Sequence, residues 1–542
     1  MQSIYKNPIP LAFFFIIIIL ISLTDIVFSL KEHFYSNIFF NLIFSTCFYL
    51  LPFYFFRNRL RWYYWLFLPL IILSIFVTGA YIFFNIRINA EILLLVLHTN
   101  KEEAKELTGA YIPYFILLSL VFLITFIFLV LKLPKKISKI RGAYVSLISL
   151  LIALIIPIIY YGNSSYIGSL KNSLSNTFPI SYIYLVELVR ADYKEMHSND
   201  DVRKNFRFNA KQVNAPPEKQ IYVLIIGESG RAGQWGINGY KRKTSPRLSQ
   251  RSNLISFSNT TASAFVTELA VPIIVTEATA DNFMIQAKEA SIVRAFQEAG
   301  FKTYWMSNQV DEGYILAHAK EAENSFISLE AHRYDMELVS KDLSEILNKN
   351  EQKVFVVLHT WGSHWNYSER YPPSYEFFKP SAKYDNILPS DASKKELIIN
   401  SYDNTILYTD AVIDSAISLV NQKNACSTIF YIADHGDNLF DDSKDKFLHA
   451  DPIPSKWVAH IPFMVWYSDQ YKSLFPDRIK NLTEHKNYKT GSDDVFHSLA
   501  EMGCLSFASL DTSKSVANKN FKESRQIILG ANSNVFKYDS LP

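Results

Sequence analysis

Hydrophobic positions along this chain follow two regimes. In the first third, apolar residues run almost unbroken through five stretches, roughly 8–28, 35–56, 63–84, 112–131 and 144–161. Each is about the length, ~20 residues of helix, that crosses a bilayer. Beyond residue 215 the pattern shortens. "IYVLII" (221–226), "LISF" (254–257), "KTYWM" (302–306), "VFVVL" (354–358), "TIFYIA" (428–433) and "PFMVW" (462–466) read as strands. "ASIVRAFQEAG" (290–300) and "NTILYTDAVIDSAISLV" (404–420) read as helices, with Gly300 placed to cap the first. Buried runs alternating with helices predict an α/β domain with a mainly parallel sheet. The expected organisation is a transmembrane domain over 1–161, a bridge over 162–215 and an exported domain over 216–542. The prolines of "NAPPEK" mark the boundary between bridge and domain.

Charge orients the spans. Arg57, Arg59 and Arg61 follow the second stretch, and Lys132, Lys135, Lys136, Lys139 and Arg141 follow the fourth. By the positive-inside rule these loops face the cytoplasm, so the N-terminus is cytoplasmic and everything after about residue 162 lies outside. The first stretch lacks a small-residue cleavage site and four more follow, so it reads as an anchor and not a signal peptide. The stretch 88–109 is amphipathic and suits a membrane interface or a packed external helix. Only Cys47, Cys426 and Cys504 occur, which leaves at most one disulfide for the exported part. A net charge of +3 without a basic tail gives no nucleic-acid footprint.

In parallel α/β sheets ligands gather at the carboxyl ends of strands. Glu228 follows the first exported strand, a Ser/Thr-rich loop leading to Thr267 follows the second, and His359 and His364 follow "VFVVL". Asp434 and His435 follow "TIFYIA", with His449 a little further on. Singly these are weak signals, since a histidine at a strand end is usually structural. Together they form the mixed oxygen and nitrogen set that Zn²⁺ or Mn²⁺ accepts.

"IIGESGRAGQWGINGYKRKTSPRL", "VTELAVP", "LHTWGSHWNYSERYP", "YDNTILYTD" and "IADHGDNL…FLHADP" resemble, in the same order, the membrane-bound phosphoethanolamine transferases. That family modifies lipopolysaccharide and belongs to the alkaline phosphatase and sulfatase superfamily. The resemblance implies five spans and a periplasmic α/β/α hydrolase-like domain in the bacterial inner membrane. It makes Thr267 the nucleophile and Glu228, Asp434 and His435, with Thr267, the ligands of one zinc, and leaves room for a second. His364 and His449 would bind the phosphoryl group or a second metal and exchange protons. Asn308 and His359 would contact substrate, and His460 would support. The donor it implies is phosphatidylethanolamine, the acceptor lipopolysaccharide, and the enzyme a monomer. Ser263 and Ile273 stand where many relatives carry a cysteine pair, which points to members acting on core sugars such as heptose, with lipid A also open.

Two other readings share parts of this pattern. A sulfatase needs Cys/Ser-x-Pro-x-Arg, which "TSPRL" does not match because Pro246 directly follows Ser245. A five-span glycerol-phosphate transferase would also use a threonine, and transfer of phosphoethanolamine to another periplasmic glycan is the nearer alternative.

Overall fold

The computed structural model of the chain describes residues 9–31, 34–84, 109–161, scattered positions from 173 to 194, 199–309, 313–328, 333–384, 391–441, 446–449, 453–530 and 534–542. The amphipathic stretch 88–108 and most of the bridge lie outside them. Two compact units emerge, one ending at Tyr193 and the other running from Lys194 to Pro542.

The N-terminal unit is built from apolar helices: α1 (Ile9–Ile21), α2 (Leu23–Lys31), α3 (Tyr35–Leu50), α4 (Leu68–Phe84), α5 (Ile112–Lys132) and α6 (Lys139–Tyr161). Among the described residues, three segments are long and apolar enough to cross a membrane: Leu60–Ile82, Ile112–Lys132 and Lys139–Tyr161. Counting α1 and α2 as one span bent by 61° gives a fourth. The bend falls among polar residues, where the Ser74 hydroxyl bonds the Leu20 carbonyl and Thr24 meets Thr78 at 3.0 Å. The second expected span divides at Pro52: α3 stops after 16 residues, and the helix resumes at Phe53. A proline has no N–H to continue the ladder and disfavours helix in the residue before it. At 1.5 Å per residue α3 spans about 24 Å, short of the ~30 Å hydrocarbon core. The basic loops meet at one end of the unit, where Ile137 N–H bonds Arg57 O at 2.8 Å and the Arg61 guanidinium bonds Leu133 O at 2.9 Å. Side chains such as Phe39, Leu117, Ile124 and Ile159 face outward, as lipid-facing residues do.

The C-terminal unit centres on a seven-stranded sheet: β1 (Gln220–Gly227), β2 (Leu254–Phe257), β3 (Lys302–Ser307), β4 (Asn324–Ile327), β5 (Lys353–His359), β6 (Cys426–Ala433) and β7 (Phe463–Tyr467). Their order is β2-β7-β6-β1-β5-β3-β4. β7 runs antiparallel to both neighbours and the other pairings are parallel, so the sheet is mixed. Every residue of β1 and β6 is buried, because both faces are covered. Side chains alternate across a strand. Tyr222, Leu224 and Ile226 therefore pack on one side with Phe296, Phe355 and Leu499, while Ile221, Val223 and Ile225 pack on the other with Ile406, Val412 and Ile417. This is a three-layer α/β/α arrangement. α7 (Thr267–Val275) and α8 (Ile292–Glu298) follow β2; Ser291 caps α8, and Gly300 adopts φ 86° just past its end. α9 (Lys395–Asn421) starts earlier than the periodicity suggests and lays a long buried stripe on the second face. β4 escaped the sequence reading because it is an exposed, polar edge strand.

The cysteines Cys47, Cys426 and Cys504 are all buried free thiols.

Candidate metal and nucleophile site

β1 lies between β6 and β5 in register, with Gly227 opposite Ala433 and Ile226 opposite His359. The next residues along, Glu228 and Asp434, therefore leave adjacent strands side by side. Asp434 N–H donates to Gly227 O at 3.0 Å, which extends the ladder one step past the sheet. Two carboxylates are thus placed together by the pairing of two fully buried strands.

Other contacts fix their rotamers. Asp434 Oδ1 accepts from the backbone N–H groups of Ser229 (3.0 Å) and His435 (2.7 Å). Ser229 sits at φ 53°, and its hydroxyl donates to Glu228 Oε1 at 2.8 Å. The loop after β5 closes the other side: Ser363 N–H donates to Glu228 O at 2.9 Å, and Gly362, at φ 49°, lies so close that a Cβ there would be 2.7 Å from Glu228 N and O. Only glycine tolerates that approach and that backbone region together.

Thr267 is the first residue of α7, where unpaired helix N–H groups and the macrodipole favour negative charge. Its hydroxyl donates to Glu228 Oε2 at 3.0 Å and lies 3.3 Å from His435 Nε2. That Nε2 lies 3.5 Å from Glu228 Oε1 and 3.3 Å from Asp434 Oδ2. His435 Nδ1 faces Gly436 O at 3.0 Å; donating there leaves Nε2 as the free lone pair. Ligand atoms of Glu228, Asp434 and His435 all fall within 4.8 Å of one another, and all three residues are buried.

These residues fit a cation. Asp434 Oδ2 is buried and accepts no hydrogen bond from the described residues. Burial alone would raise the Glu228 carboxyl, but the attraction of His435 and His364 outweighs it and holds Glu228 well below the usual range. Burial and then the charge of Glu228 push Asp434 well above it. Two buried carboxylates at such distance share a proton unless a metal takes its place.

His449 joins the cluster. Its ring centroid lies 4.1 Å from that of His435, and its Nδ1 meets Asp437 Oδ1 at 2.7 Å. Tyr367 donates to the other Asp437 oxygen at 2.8 Å. His435, Asp437 and His449 form a second group with ligand atoms within 4.8 Å, sharing His435 with the first. His364 is half-buried, edge-on to Trp361, and close enough for its charge to bear on Glu228.

Asn308 and His359 are brought to the same end of the sheet, at the carboxyl ends of β3 and β5. Asn308 Nδ2 donates to Asp335 Oδ1 at 2.8 Å, and Asn308 N–H bonds His359 O. His359 is the buried last residue of β5, with Nδ1 3.4 Å from Ser307 Oγ. His460 Nε2 meets Ser258 O at 3.0 Å. Sequence reasoning missed Gln309, whose amide donates to Glu228 Oε2 (3.2 Å) and Thr360 O (2.7 Å), and Asp335, which accepts from the N–H groups of Trp361 and Gly362 at 2.9 Å each. Asp437 stood in view within "DHGD".

The remaining motifs build the frame. Tyr402 accepts from Arg231 N–H, Asp403 pairs with Arg242 at 2.8 Å, and Asp410 accepts from Arg247 and Leu248 N–H. "YDNTILYTD" thus clamps the loop after β1 onto α9.

Comparison with known proteins places this geometry. Residues 220–503, more than half the chain, match the family described as Sulfatase. Phosphoethanolamine transferase EptC of Escherichia coli K12 is 25% identical over 495 residues, covering 85% of this chain and 83% of that protein. The crystal structure of the C-terminal periplasmic domain of E. coli EptC in complex with Zn is 26% identical with TM-score 0.55, covering 62% of this chain and 96% of that one. The integral membrane lipooligosaccharide phosphoethanolamine transferase A of Neisseria meningitidis shares the fold along the chain: TM-score 0.73 at 21% identity, covering 93% and 98%.

Proposed function

This chain belongs to the sulfatase family, and on that premise we propose that it is a phosphoethanolamine transferase, moving phosphoethanolamine from phosphatidylethanolamine to lipopolysaccharide through Thr267. The observation that carries the reading is the Thr267 hydroxyl, held 3.0 Å from Glu228 and 3.3 Å from His435 at a helix N-terminus. The EptC and EptA relatives, by name, supply the transferred group.

Glu228, Asp434, His435 and Thr267 would hold one zinc, as the zinc-bound EptC domain suggests for this fold; a second, near His449 and Asp437, is compatible with the donor set. When bound, zinc lowers the pKa of a coordinated hydroxyl and offsets charge developing on phosphoryl oxygens. Glu228 Oε2 orients the Thr267 hydroxyl toward the donor phosphorus. Attack by Thr267 as the alkoxide, its proton released to solvent before the cycle, forms a phosphoethanolamine ester on its oxygen and breaks the bond to diacylglycerol, which leaves. His449, aligned by Asp437, protonates that leaving oxygen, with His364 as the alternative acid. An acceptor hydroxyl then attacks the ester, loses its proton to the same imidazole and regenerates Thr267. A five-span inner-membrane anchor with a cytoplasmic N-terminus and a periplasmic catalytic domain completes the proposal, and the enzyme works as a monomer. A core sugar is the preferred acceptor, since Ser263 and Ile273 replace the cysteine pair of many relatives.

Incubating purified protein with phosphatidylethanolamine and no acceptor tests this directly. Peptide mass spectrometry should find phosphoethanolamine on Thr267 with stoichiometric release of diacylglycerol. Diacylglycerol release with no adduct on the protein would refute the covalent route.

A further inference from the structure

We infer that the N-terminal unit carries a second lipid site, separate from the Thr267 cluster, that selects the primary ammonium headgroup of phosphatidylethanolamine. A cavity of about 280 Å³ opens between α2, α3 and the end of α6, lined by Asp25, Ser29, Asn37, Phe40, Asn41 and Tyr160 among others. Its walls are aromatic: Phe40 stacks on Tyr160 with centroids 4.2 Å apart and meets Tyr161 edge-on at 5.6 Å. Its polar side chains, Asp25, Ser29, Asn37 and Asn41, all offer an oxygen that can accept a hydrogen bond. Ser29 is 1% exposed, and its hydroxyl has no hydrogen-bond partner among the described residues. Among the described lining residues Asp25 alone carries a formal charge. An acid within a membrane helix is costly and marks a ligand or ion route far more often than a packing role.

A second cavity, of about 490 Å³ and almost wholly apolar, lies between α1, α3 and α6, with Phe15, Ile19, Ile43, Cys47, Ile148 and Ile152 on its walls. The two are stacked. Along α3 the polar chamber uses residues up to Asn41 and the apolar one starts at Leu42; on α6 Tyr160 and Tyr161 serve the first and Val145 to Ile152 the second. At 1.5 Å per residue, Ile152 and Tyr160 are about 12 Å apart along the helix. A polar chamber above an apolar one between the same helices has the shape of a phospholipid, headgroup at one end and an acyl chain at the other. The polar end is opposite the basic loops and therefore, in the orientation proposed above, at the outer leaflet level.

The polar chamber also discriminates between headgroups. A primary ammonium has three N–H donors, enough for Asp25, Ser29 and a side-chain amide oxygen, and it keeps its attraction to the ring faces. A choline headgroup has no N–H to donate, so it keeps the ring contacts but cannot satisfy the buried Ser29 hydroxyl or hydrogen-bond Asp25, a mismatch that sites built on such bonds reject. The inference rests on the phosphatidylethanolamine-dependent reading only for the biological role of the lipid; the binding itself stands apart from it.

Native mass spectrometry of the full chain in detergent, with equal phosphatidylethanolamine and phosphatidylcholine of matched acyl chains, tests it. We expect a preference for the ethanolamine lipid on the order of tenfold in both the unsubstituted chain and Thr267→Ala. Asp25→Asn should bring that preference close to one, and so should Tyr160→Leu, which removes a wall without touching the acid; thermal unfolding of each confirms the fold. Equal binding of the two lipids by the unsubstituted chain, or an undiminished preference in folded Asp25→Asn and Tyr160→Leu, overturns the site. Transfer is read separately: loss of transfer in Thr267→Ala beside unselective binding leaves the catalytic reading intact and removes this one.

Discussion

Thr267 is useful only because of what surrounds it: a threonine hydroxyl is a poor nucleophile at its own pKa and needs a base or metal beside it. Thr267→Ala should therefore reduce transfer on the order of a thousandfold or more, while Thr267→Ser, which keeps the hydroxyl, retains measurable turnover in the same assay. His449 acts through Asp437, the carboxylate that aligns its ring at 2.7 Å. Asp437→Asn should cost about 10–100-fold in kcat, the usual effect of losing an orienting partner, with little change in KM. Remote from the site, His497 accepts the Asp511 N–H on Nδ1, and burial together with Lys514 lowers its pKa from 6.5 to about 4. Below pH 6.5 the unfolded chain then binds a proton that the folded chain refuses. Stability falls as pH drops from 6.5 toward 4, by up to about 3 kcal/mol from this group. His497→Asn should flatten that part of the unfolding-versus-pH curve, read by thermal melts at pH 4.5 and 7.

At the level of elements, the site is a product of register. Glu228 and Asp434 meet because β1 and β6 pair in parallel with Gly227 opposite Ala433, and this much was legible in sequence: an apolar run followed by an acid marks the carboxyl end of a buried strand. Asp335 and Gln309 were not legible, nor was the close backbone approach that Gly362 makes. Asp335 lies in an ordinary "RYDM" stretch, and its importance comes from a turn brought to it by β5. Asn308, expected to contact substrate, donates from its Nδ2 to Asp335 and keeps its Oδ1 buried with no hydrogen-bond partner among the described residues. Gly362→Ala would push a methyl into the Glu228 backbone in a positive-φ region, costing about 1–3 kcal/mol. It should lower both the melting temperature and zinc content, measured by calorimetry and metal analysis on the same sample.

For the whole molecule, periodicity separated an apolar helical part from an α/β part because the two bury their backbones differently. Hydropathy does not register the break at Pro52 or the bend near Ser22, so interruptions inside the expected spans were not legible. The metal should tie the domain together as well as activate it. Chelation removes about 3 kcal/mol of stabilisation at zinc a hundred times its Kd, so the unsubstituted chain should melt several degrees lower after chelation, whereas Glu228→Gln should barely respond. Transfer through Thr267 is tested most directly by mass spectra of lipopolysaccharide from cells carrying the unsubstituted chain or Thr267→Ala, with lipid A and core separated by mild acid. A phosphoethanolamine adduct is expected on the core fraction, and only with the unsubstituted chain. The same adduct in cells whose only copy is Thr267→Ala, or none in either fraction from a folded, zinc-loaded enzyme, would contradict it.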